Sequence, residues 1–582
     1  MTRIRRREET RRAFLRTAAS LGAAGMVAAV APLAMAQEAA AADLPGFPED
    51  AGLYRSAYRN WVGEISADGL WACAPGTPDQ VVAVVNWARE NGWTVRARGY
   101  AHGWSPLTIP AGTAAGAPLL LVDTTAHLTG LALEPAGSTG LAAVRAGAGA
   151  SMETLLGYLE EHGLGVTAAP APGDITIGGA LAIDAHGTAV PAEGESRLPG
   201  QTYGSLSNRV LSLTAVVWDE DSGAYALRTY QRDDPDCAAL LTHLGRALVT
   251  EVVLRVGENS SLRCLSRTDI PAAELFAAPG GDGDRTFASF LDESGRAEAI
   301  WFAYTEFPWL KVWSVAPNRP LTSRRVTSPY NYPFSDNVPT AVARLAGTLV
   351  SDAAWYLAPA LGQAQLAASV LGLTTTVSAD IWGPSKNTLL YIKPTTLRET
   401  ANGYAVLTSR DQVQRVVAEF TAFYRERLAA YTAQGRFPVN GQVEIRVTGL
   451  DDPAEADSTG AQPPLLSALR PRADHPEWDT AVWLDVLTLP GTPDAPAFFR
   501  ELERFLLDTY DGGHALTRVE WSKGWAYTEE AAWAEPEVFG TAVPASFTDG
   551  QGPGWDEAAQ ILDRLDPHRL FRNPFLDRLF TV

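Results

Sequence analysis

Cysteine is scarce: Cys73, Cys237 and Cys264 are the three thiols in 582 residues, far apart along the chain. One disulfide at most can form, and no Cys-x-x-Cys pair is present to hold zinc or an iron–sulfur cluster. The eight histidines are equally dispersed, without His-x-His or His-Glu-x-x-His, so no metal centre is expected. Positive charge is the minority sign. The 47 Lys and Arg against 67 Asp and Glu leave a net charge of −20, which repels phosphate backbones and disfavours a nucleic-acid partner. After the N-terminal region no long apolar run occurs, so no later segment reads as a membrane span. Two motifs are also missing. No Gly-x-Gly-x-x-Gly follows the first strand, which disfavours a Rossmann dinucleotide site, and no Gly-x-Ser-x-Gly elbow marks an α/β-hydrolase.

What is present begins with an address. Arg11-Arg12-Ala13-Phe14-Leu15-Arg16 precedes an Ala-rich apolar stretch over 18–35 and a small-residue site at Ala34-Met35-Ala36. Residues 1–36 read as a twin-arginine signal peptide, hence a secreted, extracellular protein exported in the folded state. A membrane anchor is the other reading of that stretch. The remaining length exceeds what one core serves, so two domains are expected. The seventeen Trp suit either a large apolar pocket or ordinary core packing.

Residues 48–257 read as one compact α+β domain. An amphipathic helix is expected over 77–91 and another over 152–162, closed by Gly163, with strands over 94–98, 119–123, 143–147 and 210–218. Residues 258–540 read as a second α+β domain with a large antiparallel sheet. Its strands are expected at 299–307, 310–315, 389–392, 443–447 and 481–486, and its long helices at 410–434 and 495–510. Residues 541–582 form a compact tail that returns to the first domain.

The chemistry concentrates in the turn after strand 94–98, Arg98-Gly99-Tyr100-Ala101-His102-Gly103-Trp104-Ser105. Gly99 and Gly103 permit positive φ and close backbone approach, so that consecutive N–H groups converge on an anion such as a pyrophosphate, with His102 beside it. Alone, this pattern describes a satisfied loop histidine equally well. A second loop, Pro172-Gly173-Asp174-Ile175-Thr176-Ile177-Gly178-Gly179, opens a small-residue helix whose donors and Thr176 could clamp a phosphate or ribityl group. A third, Tyr203-Gly204-Ser205-Leu206-Ser207-Asn208, precedes a strand. In 443–447, Glu444 and Arg446 share one face of a strand. That places a carboxylate and a guanidinium side by side, as acid/base chemistry requires, or else as a solvated surface pair.

These loops resemble the vanillyl-alcohol-oxidase-like FAD family, and the chain is similar in particular to the covalent-flavin (type II) cholesterol oxidases. The resemblance extends through Leu244–Glu251 (containing Thr250), Pro329-Tyr330-Asn331-Tyr332 with Phe334-Ser335-Asp336-Asn337, Asp380–Gly383, Val443–Arg446, Glu520–Trp525 and the terminal Asp566-Pro567…Asn573. It implies a two-domain flavoprotein with FAD bonded covalently to His102. It further implies cofactor contacts from Arg98 to Ser105, from the 172–179 loop, from Tyr203, Gly204, Ser205 and Ser207, and from Thr250 and Asn573. It places Glu444 and Arg446 at the flavin's reactive edge, and pairs Arg446 with Glu298 to open and close the site. Asp485 stands where the resembling enzymes carry asparagine, which unsettles the acid/base assignment. Lys523 is either a partner for negative charge on the reduced flavin or a surface lysine. The activity implied is oxidation of the 3-hydroxyl of cholesterol-like sterols by dioxygen with release of hydrogen peroxide, and isomerisation to the 4-en-3-one. The enzyme is expected to be monomeric, with transient contact with sterol-bearing membranes. Two rivals remain. A sugar, alditol or lactone oxidase would share the flavin fold, against which the aromatic cluster Trp301, Phe302, Tyr304, Phe307, Trp309, Trp313 is read as an apolar pocket. A colourless lipid-binding protein is the non-catalytic alternative.

Overall fold

The computed structural model describes residues 44–135, 140–280, 284–332, 338–549 and 554–580. The leader over 1–36 and the segment 334–337 lie outside the described residues.

The helix Pro78–Asn91 shows how local sequence sets local structure. Thr77 caps it by accepting from the Gln80 N–H at 3.2 Å, proline occupies the first turn, and Gly92 ends it at φ 71°. Its Val81, Val84, Val85, Trp87 and Ala88 pack on Trp71, Val95, Leu120 and Val122. The strands beneath, Leu53–Arg59, Ser66–Cys73, Leu119–Asp123 and Thr94–Arg98, form a four-stranded sheet in that order. The last three run parallel, with Thr94–Arg98 at the edge, so the turn after it sits at the carboxyl ends, where such sheets bind ligands. A five-stranded antiparallel sheet stands beside it, in the order Leu131–Glu134, Ala143–Gly147, Leu248–Arg255, Val210–Asp219, Ala224–Gln231.

A nine-stranded sheet dominates the rest: Arg324–Arg325, Asp380–Pro384, Ser261–Arg267, Trp309–Val315, Arg296–Phe302, Gln442–Gly449, Thr480–Thr488, Thr400–Thr408, Ala515–Val519. Its central strands are covered on both faces; Arg296–Phe302 and Thr480–Thr488 are buried at every position. One face is apolar and packs on the helices Val413–Ala433 and Ala495–Thr509, with Trp301 against Tyr424 at 5.5 Å and the Tyr404 hydroxyl donating to Glu503 at 2.7 Å. The other face is polar, and it turns toward the first two sheets.

Two expected elements shift. The strand expected over 299–307 runs Arg296–Phe302, because Tyr304 takes φ 63° and breaks the ladder. The strand expected over 389–392 is absent: Ser385–Leu389 is helical, and only Ile392 bridges, to Pro172. The tail docks on the first sheet, where the Leu570 carbonyl accepts from the Val95 N–H at 2.8 Å. All three cysteines are free and buried.

The third loop joins the sheets. Asp451, at the end of the Gln442–Gly449 strand region, accepts from the Ser205 N–H (2.7 Å), the Ser205 hydroxyl (2.9 Å) and the Ser467 hydroxyl (2.6 Å), all buried. A Cβ on Gly204 would sit 2.3 Å from Asp451 Oδ1, so only glycine admits this approach. Asp451→Ala leaves those donors without acceptors. Chemical denaturation should show a loss of about 2–3 kcal/mol.

Candidate active site

A cavity of about 350 Å³ lies between the first two sheets and the polar face of the nine-stranded sheet. Residues 96–105 line one wall, together with Pro172, Ile175, Thr176, Gly178, Gly179 and the segment 243–245. The opposite wall brings Ile300, Tyr391, Glu399, Gln442, Glu444, Arg446, Glu520 and Lys523.

The turn after strand Thr94–Arg98 is built differently from its glycine pattern. Neither Gly99 nor Gly103 adopts positive φ; Ala101 does, at 57°. Gly99 is required for space, since a Cβ there would lie 2.5 Å from Thr176 Oγ1. A left-handed residue turns successive N–H groups to one side. Among the described residues no protein acceptor meets the N–H groups of Gly99, Tyr100, Ala101, His102 or Gly103. Trp104 and Ser105, expected to join that array, instead donate to the Ser522 carbonyl at 2.8 and 3.0 Å, which ties the turn to the other domain. His102 stacks on Trp61 with centroids 3.8 Å apart, and its Nδ1 lies 3.5 Å from Asp174 Oδ1. Both atoms are buried without a hydrogen-bond partner. Arg98 donates to the Ser56 hydroxyl at 2.5 Å.

The second loop is not an open phosphate clamp. Ile177 and Gly178 donate to the carbonyls of Ala150 and Ala148 at 2.9 and 2.8 Å, and Gly179 donates to Thr176 Oγ1 at 3.1 Å. These donors are consumed because the loop must close on the strand end at 147–150. Gly173 likewise gives its carbonyl to the Glu153 N–H at 2.9 Å. The loop contributes wall, and Asp174.

Six further residues expected to contact the cofactor lie off the cavity wall. Tyr203, Gly204, Ser205 and Ser207 are buried in the domain junction, where the Ser207 hydroxyl donates to the Leu241 carbonyl at 2.7 Å. The Thr250 hydroxyl donates to the Thr214 carbonyl at 3.2 Å, inside its own sheet. Asn573 caps the helix Pro574–Leu579 and donates to the carbonyls of Pro106 and Leu107, both at 3.1 Å, which braces the chain just past the turn.

On the opposite wall, cross-strand register assembles a charge cluster. Arg446 lies across from Glu298, Glu444 across from Asp485, and Glu298 across from Lys311. Arg446 pairs with Asp485, and its Nη1 is 3.6 Å from Glu444 Oε2. Asp485 also binds Lys523, whose Nζ is 3.2 Å from Glu520 Oε2. Gly403 makes the room, since a Cβ there would lie 2.6 Å from Asp485 Oδ1. The expected pairing of Arg446 with Glu298 is not what the structure shows. Glu298 instead accepts both contacts of the Tyr391 hydroxyl, at 2.7 and 2.8 Å, and lies 3.3 Å from Lys311 Nζ. Glu298 has a cation directly across on each neighbouring strand, and Asp485 satisfies one of them. Lys523 is buried, so the surface-lysine reading fails. The aromatic cluster also moves. Trp301, Trp309 and Trp313 are buried off the cavity, and Lys311 Nζ sits 4.6 Å from the Trp313 ring centroid and 3.1 Å from that of Tyr391. Of the tryptophans, Trp61 and Trp104 face the cavity.

Within this cluster Glu444 and Arg446 keep 19% and 16% of their side-chain surface, on the cavity side, while Asp485 keeps none. Burial and the neighbouring Glu520 push the Asp485 carboxyl up to about 6. Burial raises Glu444 against the opposing pull of Arg446. Burial tends to discharge Arg446, yet Asp485 and Glu444 hold its proton more tightly than usual. Burial, then the Arg446 charge, takes His186, stacked on Trp483 at 3.6 Å, down to about 3. Sequence reasoning missed Trp61, Tyr391, Lys311, Glu399 and His186. None belongs to a spaced motif; only the Glu520-x-x-Lys523 interval carried a local signal.

Glu399 lines the cavity, and burial reinforced by Glu444 pushes its carboxyl up to about 8. Because that folded value exceeds the unfolded one, the stability it contributes is complete below about pH 4.5 and is lost as pH rises through about 8. In that window the fold weakens by about 1.4 kcal/mol per pH unit from this group. Glu399→Gln should flatten the slope, measured by denaturation at pH 6 and pH 7.5 against the parent.

Family models match twice, a cholesterol oxidase substrate-binding domain over residues 261–581 and an FAD-binding domain over 71–221. Among solved structures, a solvent-stable cholesterol oxidase is 55% identical, with TM-score 0.90 over 92% of this chain and 99% of its own. Cholesterol oxidase from B. sterolicum is 46% identical, with TM-score 0.89 over 95% of this chain and 100% of its own. A histidine-to-alanine mutant of cholesterol oxidase from Brevibacterium sterolicum gives 46% and 0.89 over 92% and 99%. No curated protein sequence matches. The matched domains and this identity over nearly the full length establish that the chain belongs to the cholesterol oxidase family of FAD-binding proteins.

Proposed function

We propose that this protein oxidises the 3-hydroxyl of cholesterol and related sterols to the ketone, with dioxygen reduced to hydrogen peroxide, using FAD bonded covalently to His102. The observation that carries it is the Glu444–Arg446 pair, open to the same cavity that the His102 turn lines from the other side. The residues present fit the cofactor. The N–H groups of 99–103 lack protein acceptors, and His102 Nδ1 and Asp174 Oδ1 are buried without hydrogen bonds. Those N–H groups would hold the anionic part of FAD, and His102, fixed by Trp61, would carry the covalent link. FAD, when bound, supplies the two-electron acceptor and passes the electrons to dioxygen.

Glu444 takes the proton of the sterol hydroxyl. Arg446, kept charged by Asp485, stabilises the developing alkoxide. Ile300, Leu397 and Leu487 on the cavity wall exclude water from the reacting carbon. Isomerisation to the 4-en-3-one belongs to the same proposal. It requires one group to remove a proton and another to return it, and Glu444 and the protonated Glu399 share a wall for that. The sterol assignment rests on the family and not on the aromatic cluster, which packs elsewhere. Export through the twin-arginine leader, and a monomeric enzyme, complete the reading.

The test is a visible spectrum of the purified protein before and after anaerobic cholesterol. A yellow enzyme bleached by the sterol supports the proposal; a colourless one, or a spectrum unmoved by sterol, defeats it. Glu444→Gln should lower kcat by about 10²–10⁴-fold while leaving the flavin spectrum intact. His102→Ala should release its flavin on acid precipitation, where the parent retains it in the pellet.

A further inference from the structure

Of the eight large apolar side chains that stand exposed among the described residues, five lie between residues 321 and 377: Leu321, Tyr356, Val370, Leu371 and Val377. Single exposed apolar residues need no explanation, but a gathering does. The sequence around them is unusual for this chain. Residues 353–379 contain no acidic, basic or histidine side chain, and residues 307–332 contain Lys311, Arg319, Arg324 and Arg325 but no acid, although the net charge is −20.

The fold brings these segments together. Arg324 donates to the Thr376 carbonyl, and the Tyr330 hydroxyl lies 3.1 Å from Thr376 Oγ1. Thr322 and Ser323 donate to the Asp380 carboxylate at 2.8 and 2.7 Å. Leu321 (100% exposed) and Val377 (69%) are thereby tethered near the last turns of the helix Ala358–Thr375, where Val370 and Leu371 are 38% and 64% exposed. That helix has no charged residue on any side, yet part of it faces outward. Among the described residues no helix is long and apolar enough to cross a membrane. Gln365 of the same helix lines the cavity, and Leu371 lies about 9 Å further along the axis.

Val377 is the telling residue. It takes φ 52°, a left-handed conformation that closes the helix, with Ser378 N–H donating to the Leu373 carbonyl at 2.9 Å. Glycine or asparagine suits that position; a β-branched residue is strained there. The fold therefore gains nothing from valine, and its side chain points to solvent.

We propose that Leu321, Val370, Leu371 and Val377, flanked by Arg319, Arg324 and Arg325, dock this end of the substrate domain into the headgroup region of a sterol-bearing bilayer that contains anionic lipid. The apolar tips enter the interface and the arginines meet the lipid phosphates. The proposal rests on the sterol reading above and deepens it by placing the cavity beside the membrane that holds the substrate.

The experiment compares the parent with a Leu371→Asn, Val377→Asn double variant. Binding is read by co-sedimentation with sucrose-loaded vesicles of phosphatidylcholine and cholesterol, with and without phosphatidylglycerol. Parent binding should strengthen with phosphatidylglycerol, and the variant should bind about tenfold or more weakly. Turnover of cyclodextrin-delivered cholesterol should stay within about twofold of the parent, and Tm should hold or rise because asparagine relieves the strain at 377. A variant that sediments as well as the parent, or a parent that does not sediment, overturns the proposal. So does a parent dimer that the variant dissociates, which would make the patch a contact between copies. If cholesterol is not turned over by either protein, the function falls while sedimentation still decides the docking surface.

Discussion

The structure depends on a sheet that is apolar on one face and ionic on the other. Glu298, Lys311, Glu444, Arg446, Asp485, Glu520 and Lys523 are gathered on the inner face by strand register and neighbouring segments. Alternation along each strand sends Trp301, Ile445, Leu484 and Val486 to the helices on the other side. A one-residue slip would exchange the two sets, so packing of the apolar face fixes the chemistry of the ionic one.

Charges so deeply placed persist only because each has partners. Asp485 is the hinge of that arrangement. It binds Arg446 and Lys523 together, and it leaves Glu298 to Lys311 and Tyr391. Glu444 is consequently the carboxylate left facing the cavity beside a permanently charged guanidinium. The opposite wall follows the reverse logic. The 99–103 turn keeps its donors unspent, while the flanking residues Trp104 and Ser105, and the 177–179 helix start, give theirs to the protein.

Sequence periodicity was a good guide where local physics decides. The helix Pro78–Asn91 and the strands Thr94–Arg98, Leu119–Asp123 and Ala143–Gly147 have their caps and alternation written locally. It misjudged 389–392, a short apolar run that tertiary context makes partly helical. Of the two freedoms read into the glycines of the His102 turn, positive φ and close approach, Gly99 uses the second against Thr176, and Ala101 carries the left-handed turn.

The sequence by itself determined the α+β character, the glycine-flanked histidine, and the family through motifs spread over nearly the whole chain. Only the tertiary structure decided the partners. Whether Arg446 meets Glu298 or Asp485 depends on which strands lie side by side, and the order of the nine-stranded sheet departs from the order of the sequence. Contacts between residues far apart in the chain leave no local pattern, which is why Lys311, Tyr391, Glu399 and Trp61 emerged only once the chain was folded.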